Sequence, residues 1–140
     1  MKKGLGFTLI ELLIVVGVLA TLSTVVFVAL NPAQRFMNAR NSRRVTDVNS
    51  ILTAVHQCIV DNGGSLTACG IVDTNKHTLG TDTGNLNLTT YLAAYLKKMP
   101  QDPSTGSLAD TGYAIQADAN NLITIFADDA EGGEIIEASR

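Results

Sequence analysis

The sequence predicts an α+β protein in which one long N-terminal α-helix packs on a small antiparallel β-sheet head. Three patterns predict it. Eighteen of the 24 residues from Phe7 to Leu30 are apolar. Val45, Val48, Leu52, Val55 and Ile59 then step by three and four, which lays one apolar stripe along a helix. Near the C-terminus Tyr113, Ile115 and Ala117, and again Ile123, Ile125 and Ala127, alternate as the inward residues of strands do.

The first apolar block sets the class of protein. No charged residue lies between Glu11 and Arg35. As a helix, Phe7 to Leu30 runs ~36 Å, more than the ~30 Å of a hydrocarbon core. Lipid leaves a single span no other way to satisfy its backbone, so helix wins despite the many Val and Ile residues. The run is longer than the apolar core of a cleaved secretory signal, roughly 7–15 residues. No second run reaches membrane length, which excludes a multi-span protein. The remainder suits one small domain of a 140-residue chain. A net charge of −3 and a pI of about 5.2 give no general grip on nucleic acid. A plain membrane anchor leaves Glu11 unexplained, because a carboxylate inside an apolar span is expensive without a partner.

Residues 2–16 read Lys-Lys-Gly-Leu-Gly-Phe-Thr-Leu-Ile-Glu-Leu-Leu-Ile-Val-Val. This stretch closely resembles the N-terminus of type IV pilins and of the pseudopilins of type II secretion systems. The resemblance implies a leader over residues 1–6, held at the cytoplasmic face by Lys2 and Lys3. A prepilin peptidase and N-methyltransferase is implied, cutting between Gly6 and Phe7 and methylating the new amine of Phe7. Glu11 takes the place of the family glutamate, whose carboxylate neutralises the amine of a neighbouring subunit in the filament. The alternative for Glu11 is a carboxylate that reaches out to the membrane interface. Residues 7–31 become a transmembrane and assembly helix, and residues 32–140 its amphipathic continuation plus a pilin head. The implied partners are further copies of the chain, the membrane, and an inner-membrane assembly machinery. One count opposes this orientation. Arg35, Arg40, Arg43 and Arg44 follow the span and only Lys2 and Lys3 precede it, which by charge alone places the C-terminal side inside.

Past the span, Asn31-Pro32 marks a break or kink. A helix is expected from Ala33 to about Asn62, with Arg40, Arg43, Arg44, Asp47 and Gln57 off the apolar stripe. Asp61-Asn62-Gly63-Gly64 stops it. With the span this makes one helix of ~55 residues. Cys58 ends the helix and Cys69 lies beyond the Gly-Gly turn. An even cysteine count on the external side reads as a disulfide, with two reduced thiols as the alternative. A metal set of His56, Cys58, Cys69 and His77 matches no zinc spacing.

Residues 63–86 read as a loop with at most short structure. Leu88, Tyr91, Leu92, Tyr95, Leu96 and Met99 then follow helical spacing, from a cap at Asn87 to a stop at Pro100. Met99 to Gly106 is a turn cluster. Its Pro-x-Asp-Pro stretch also resembles pilins, far more weakly than the leader does. Strands are expected over residues 112–118, 122–128 and 134–138.

No nucleophile elbow, phosphate loop, HExxH or CxxC pair occurs, so the reading is a structural subunit and not an enzyme. Eight carboxylates and one cation follow Pro100. Asp110 and Asp128-Asp129-Ala130-Glu131 are conceivable calcium donors, against the plainer reading of a solvated acidic face. The four arginines and this acidic third also offer a basic-to-acidic contact between subunits. A pilus subunit is the favoured function. The alternatives are a major pseudopilin of type II secretion and a membrane-anchored binding module that does not polymerise.

Overall fold

The computed structural model describes residues 6–140, so Lys2 and Lys3 lie outside the described residues. The chain divides into two units, up to Phe36 and from Met37 onward.

In the first unit, α1 covers Leu9–Leu30. Its 22 residues span ~33 Å at helical rise, membrane length. None of them is buried. Its few hydroxyls are satisfied within the helix: Thr21, Ser23 and Thr24 each donate to a backbone carbonyl three or four residues back. That removes the cost of carrying them through an apolar medium.

The long helix breaks at Asn31-Pro32, where the sequence places a break or kink. Asn31 takes the left-handed conformation with φ 40°, which Asn tolerates better than most residues. Pro32 then opens α2, Pro32–Asp61, at the position where its missing N–H costs nothing. The Asn31 carbonyl accepts from the Arg35 N–H at 3.3 Å, and Arg35 Nε donates to the Leu30 carbonyl at 3.0 Å.

In the second unit, the remainder of α2 carries the core face: Val48, Ile51, Leu52, Ala54, Val55 and Cys58 are buried. The stripe therefore sits partly where expected. Val45 is 47% exposed, and Asn41, Arg44 and Asp47 are buried on the helix instead. Strands β1 (His77–Thr78), β2 (Tyr113–Ala117), β3 (Ile123–Ala127) and β4 (Ile136–Ser139) form an antiparallel sheet in that order. Tyr113, Ile115, Ala117, Ile123, Ile125 and Ala127 point into one cluster with the α2 face. Each large aliphatic side chain buried there contributes ~1.5–3 kcal/mol.

Two expectations shift. β4 starts two residues later than the sequence pattern placed it, because Gly132 and Gly133, both with positive φ, extend the preceding turn. The expected helix over residues 88–99 does not form; residues 89–95 make successive turns instead. Leu92 N and Leu96 N make helical bonds, but Asn87 draws the Thr89 N–H into a side-chain turn, and so short a segment does not recover the cost of helix nucleation. Its apolar spacing still buries Leu88, Leu92 and Met99.

Gly63 and Gly64, with φ of 65° and 90°, close α2 as expected. Beyond them Cys58 and Cys69 are joined as a disulfide, Cα atoms 6.0 Å apart. The bond ties the end of α2 to the 3₁₀ turn Thr67–Cys69. Replacing both cysteines with alanine is expected to lower unfolding stability by ~3 kcal/mol, the chain-entropy value for a short loop. Urea unfolding of wild type and variant measures it.

Candidate functional site

Two places in the chain hold polar chemistry in an unusual setting. The first is the start of α1. Gly6, Phe7 and Thr8 precede the helix in exposed, non-helical backbone, and Phe7 is 79% exposed. Among the described residues, and apart from its chain neighbours, nothing lies within 4 Å of where a Cβ on Gly6 would stand. Thr8 caps α1 through a reciprocal box: its Oγ1 accepts from the Glu11 N–H at 3.2 Å. Glu11 Oε2 in turn accepts from the Thr8 N–H at 3.1 Å and the Thr8 hydroxyl at 3.0 Å. The carboxylate thus has local donors at the positive end of the helix dipole. The sequence reading singled out Glu11 but not Thr8. The signal was present, since Thr followed three residues later by Glu at the head of an apolar run is a capping box.

The second place is a charged clasp inside the head. Arg44 lies on the core side of α2 and is fully buried. All five of its N–H donors are used. Nε and Nη2 reach the two oxygens of Asp102 at 2.5 and 2.9 Å. Nη2 also donates to Ser104 Oγ, and Nη1 donates to Asn41 Oδ1 and Glu131 Oε2. Arg40 takes the same Glu131 in a two-point pair at 2.5 and 2.6 Å. Asn41 completes the set, donating to the Glu131 carbonyl and to Glu134. One turn along, Asp47 accepts from the Tyr113 hydroxyl at 3.0 Å and from Arg43 Nε.

Asp102 is held from all sides. Beyond Arg44 it accepts from the N–H and hydroxyl of Ser104 and from the Thr105 N–H. A Cβ on Gly106 would stand 2.2 Å from Asp102 N, and one on Gly112 would stand 2.7 Å from Asp102 Cβ. Only glycine admits so close an approach.

The electrostatics follow from these contacts. Burial alone would raise the Asp102 carboxyl, but Arg44 and the Ser104 and Thr105 donors outweigh it and hold it well below the carboxylate range. Glu131 is lowered from 4.5 to about 2, by Arg40 first and Arg44 second. Burial, with the Asp47 charge beside it, pushes the Tyr113 phenol up.

This corrects the reading of the charges. Arg44, Asp102 and Glu131 are partners within one chain, so neither the basic patch nor the acidic face is wholly free for a neighbour. The conceivable calcium donors are likewise engaged elsewhere. Asp128 pairs with Lys76 at 2.6 Å, Asp129 accepts from the Thr105 hydroxyl, and Asp110 accepts from the Gly112 N–H. Among the described residues no cluster of three or more His, Cys, Asp or Glu is placed to hold a metal.

Comparison with known proteins agrees with the helix terminus. Residues 1–27 match the prokaryotic N-terminal methylation motif. The chain is 31% identical to the type II secretion system core protein G of Vibrio cholerae serotype O1 over 137 residues, covering 96% of this chain and 88% of that one. The chain belongs to the type IV pilin and pseudopilin family. It is a pilin-like filament subunit, and the family is one of structural subunits. No solved structure matches the chain. Membership implies polymerisation and an assembly system with a prepilin peptidase, and the motif with its apolar helix fits a subunit anchored in the inner membrane.

For this pilin-like subunit, Arg44→Ala is expected to destabilise the head by about 3–5 kcal/mol, because it strands a buried Asp102. Replacing Arg44 with Met and Asp102 with Leu together is expected to cost much less, and urea unfolding of both variants separates the two. Acid provides a second check. Asp102 and Glu131 both titrate below their unfolded values, so their contribution is present above those values and lost on acidification. Stability is expected to hold from neutral pH to about 5, then to fall as pH drops from 4.5 towards about 2 through the Glu131 range. Urea midpoints across that range check it, and Glu131→Gln is expected to flatten part of the fall.

Proposed function

We propose that the precursor sits in the inner membrane through α1 with a cytoplasmic N-terminus, and that residues 1–6 are its leader. Cleavage between Gly6 and Phe7 and methylation of Phe7 give the mature subunit. It then polymerises through residues 7–31 into a helical homopolymer that reaches the cell surface or spans the periplasm.

The observation that carries this reading is the wholly exposed surface of α1. A 22-residue apolar helix with no buried residue must be covered by something. Lipid covers it first, and the same helices of neighbouring copies cover it in the filament. Cleavage creates a free amine at Phe7, and Glu11 is the carboxylate one helical turn away from it. In the precursor Thr8 satisfies Glu11. In the filament the amine of a neighbour takes that role, and a subunit one register out leaves both charges unpaired.

A secretion pseudopilus is the second reading, and the similarity to core protein G is equally compatible with it. Electron microscopy of sheared filaments, set beside an assay of protein export, separates the two. Mass spectrometry of the mature chain is expected to find a methylated Phe7 at its N-terminus. Glu11→Ala is expected to abolish filaments while leaving the head folded and the precursor in the membrane. A non-polymerising anchor would show no difference in that variant.

A further inference from the structure

The internal clasp consumes Arg40, Arg44, Asp102 and Glu131, and among the charges left exposed are two patches of opposite sign. The first is cationic. Arg43, its side chain 66% exposed, Lys98 and Asp47 line a cleft of about 290 Å³, floored by Met99, Pro100 and Gln101. Asp47 takes Arg43 through Nε alone, so two cations face one carboxylate there. Lys97 stands exposed beside it. The second patch lies on β4 and the turn before it. Ile135 is 87% exposed, an apolar side chain with no cover, and it stands between the exposed Glu134 and Glu137. Period-two alternation puts Ile135 and Glu137 on the same outer face, while Ile136 turns into the core.

The two patches are different surfaces of one head, so a contact between them is heterologous, and a heterologous contact whose rotation does not close propagates, as a filament requires.

We propose that the Arg43–Lys98 cleft receives the Glu134-Ile135-Glu137 edge of a second copy in the filament. Ile135 enters between the lysine stems and the Met99–Pro100 floor, while the two carboxylates meet Arg43 and the lysine ammonium groups. Long cationic side chains suit this, since their stems cover an apolar residue while the charges remain at the rim. The contact sets register between heads and adds to the helix packing that the filament reading already requires, and it rests on that reading.

The test uses the full-length chain assembled in cells. Lys98→Glu is expected to reduce the yield of sheared filaments about tenfold by setting like charges face to face, and Glu137→Lys to do the same. Combining the two is expected to restore the yield to within about twofold of wild type. Both positions are exposed, so head integrity is followed by protease resistance and by oxidation of Cys58 and Cys69. Single reversals that assemble as well as wild type would overturn the contact, as would a combined variant no better than either single one. Absence of filaments from the wild-type chain itself would instead strike the filament reading, leaving the two failures distinguishable.

Discussion

The buried pair of Arg44 and Asp102 is the constraint on which the head depends. It joins α2 to a turn 58 residues later in the chain, with both side chains fully shielded from water. Two desolvated charges are a poor source of net stability, because their attraction offsets a large hydration cost only when every hydrogen bond is made. Here every one is made. The five donors of the guanidinium are used, and Asp102 is cradled by Ser104 and Thr105 in a turn that two glycines allow to come close. Such an arrangement tolerates one geometry. The turn at residues 102–106, the loop at 128–134 and the end of the sheet are all placed by reference to α2.

That rigidity stands beside a contrast in surface between the two parts of the chain. α1 offers apolar surface all round and keeps its few polar groups satisfied internally. The head does the reverse, burying its apolar residues against α2 and fixing its own charges in pairs. A filament subunit needs both properties. In the proposed filament the apolar helix supplies free energy of association, and a head with a single geometry helps the Glu11 pairing to hold the register. The disulfide at the end of α2 serves the same end by closing the loop that leads away from the helix.

Much of this was legible in order along the chain. An apolar run of membrane length, a capping box at its head and a basic leader with a glycine are local patterns, and local patterns are what sequence carries. The alternating strands were legible for the same reason, and so was the glycine stop of α2. Where the reading failed, a distant partner decided the outcome. Residues 88–99 keep the spacing of a helix but do not form one, since packing of Leu88, Leu92 and Met99 satisfies the spacing without a full helix. The two-residue strand β1 exists because Ile115 and Ala114 offer pairing to His77 and Thr78, a pairing that Leu79 carries on to Tyr113 and Thr111.

The charges show the division most clearly. By itself the sequence determined that a single carboxylate lies within an apolar span, and that the chain must therefore cross or coat something apolar. It also determined that arginines cluster after the span and carboxylates near the C-terminus. Only the tertiary structure decided which of those charges meet. Arg44 looked like a surface residue because its type is normally solvated, yet its position continues the buried series through Val48, Ile51 and Val55. Helical periodicity fixes the face a residue occupies, but burying a guanidinium depends on acceptors that arrive from 58 and 87 residues away. No local pattern encodes that meeting, and so the fold alone separates the charges held inside from those left for a neighbour.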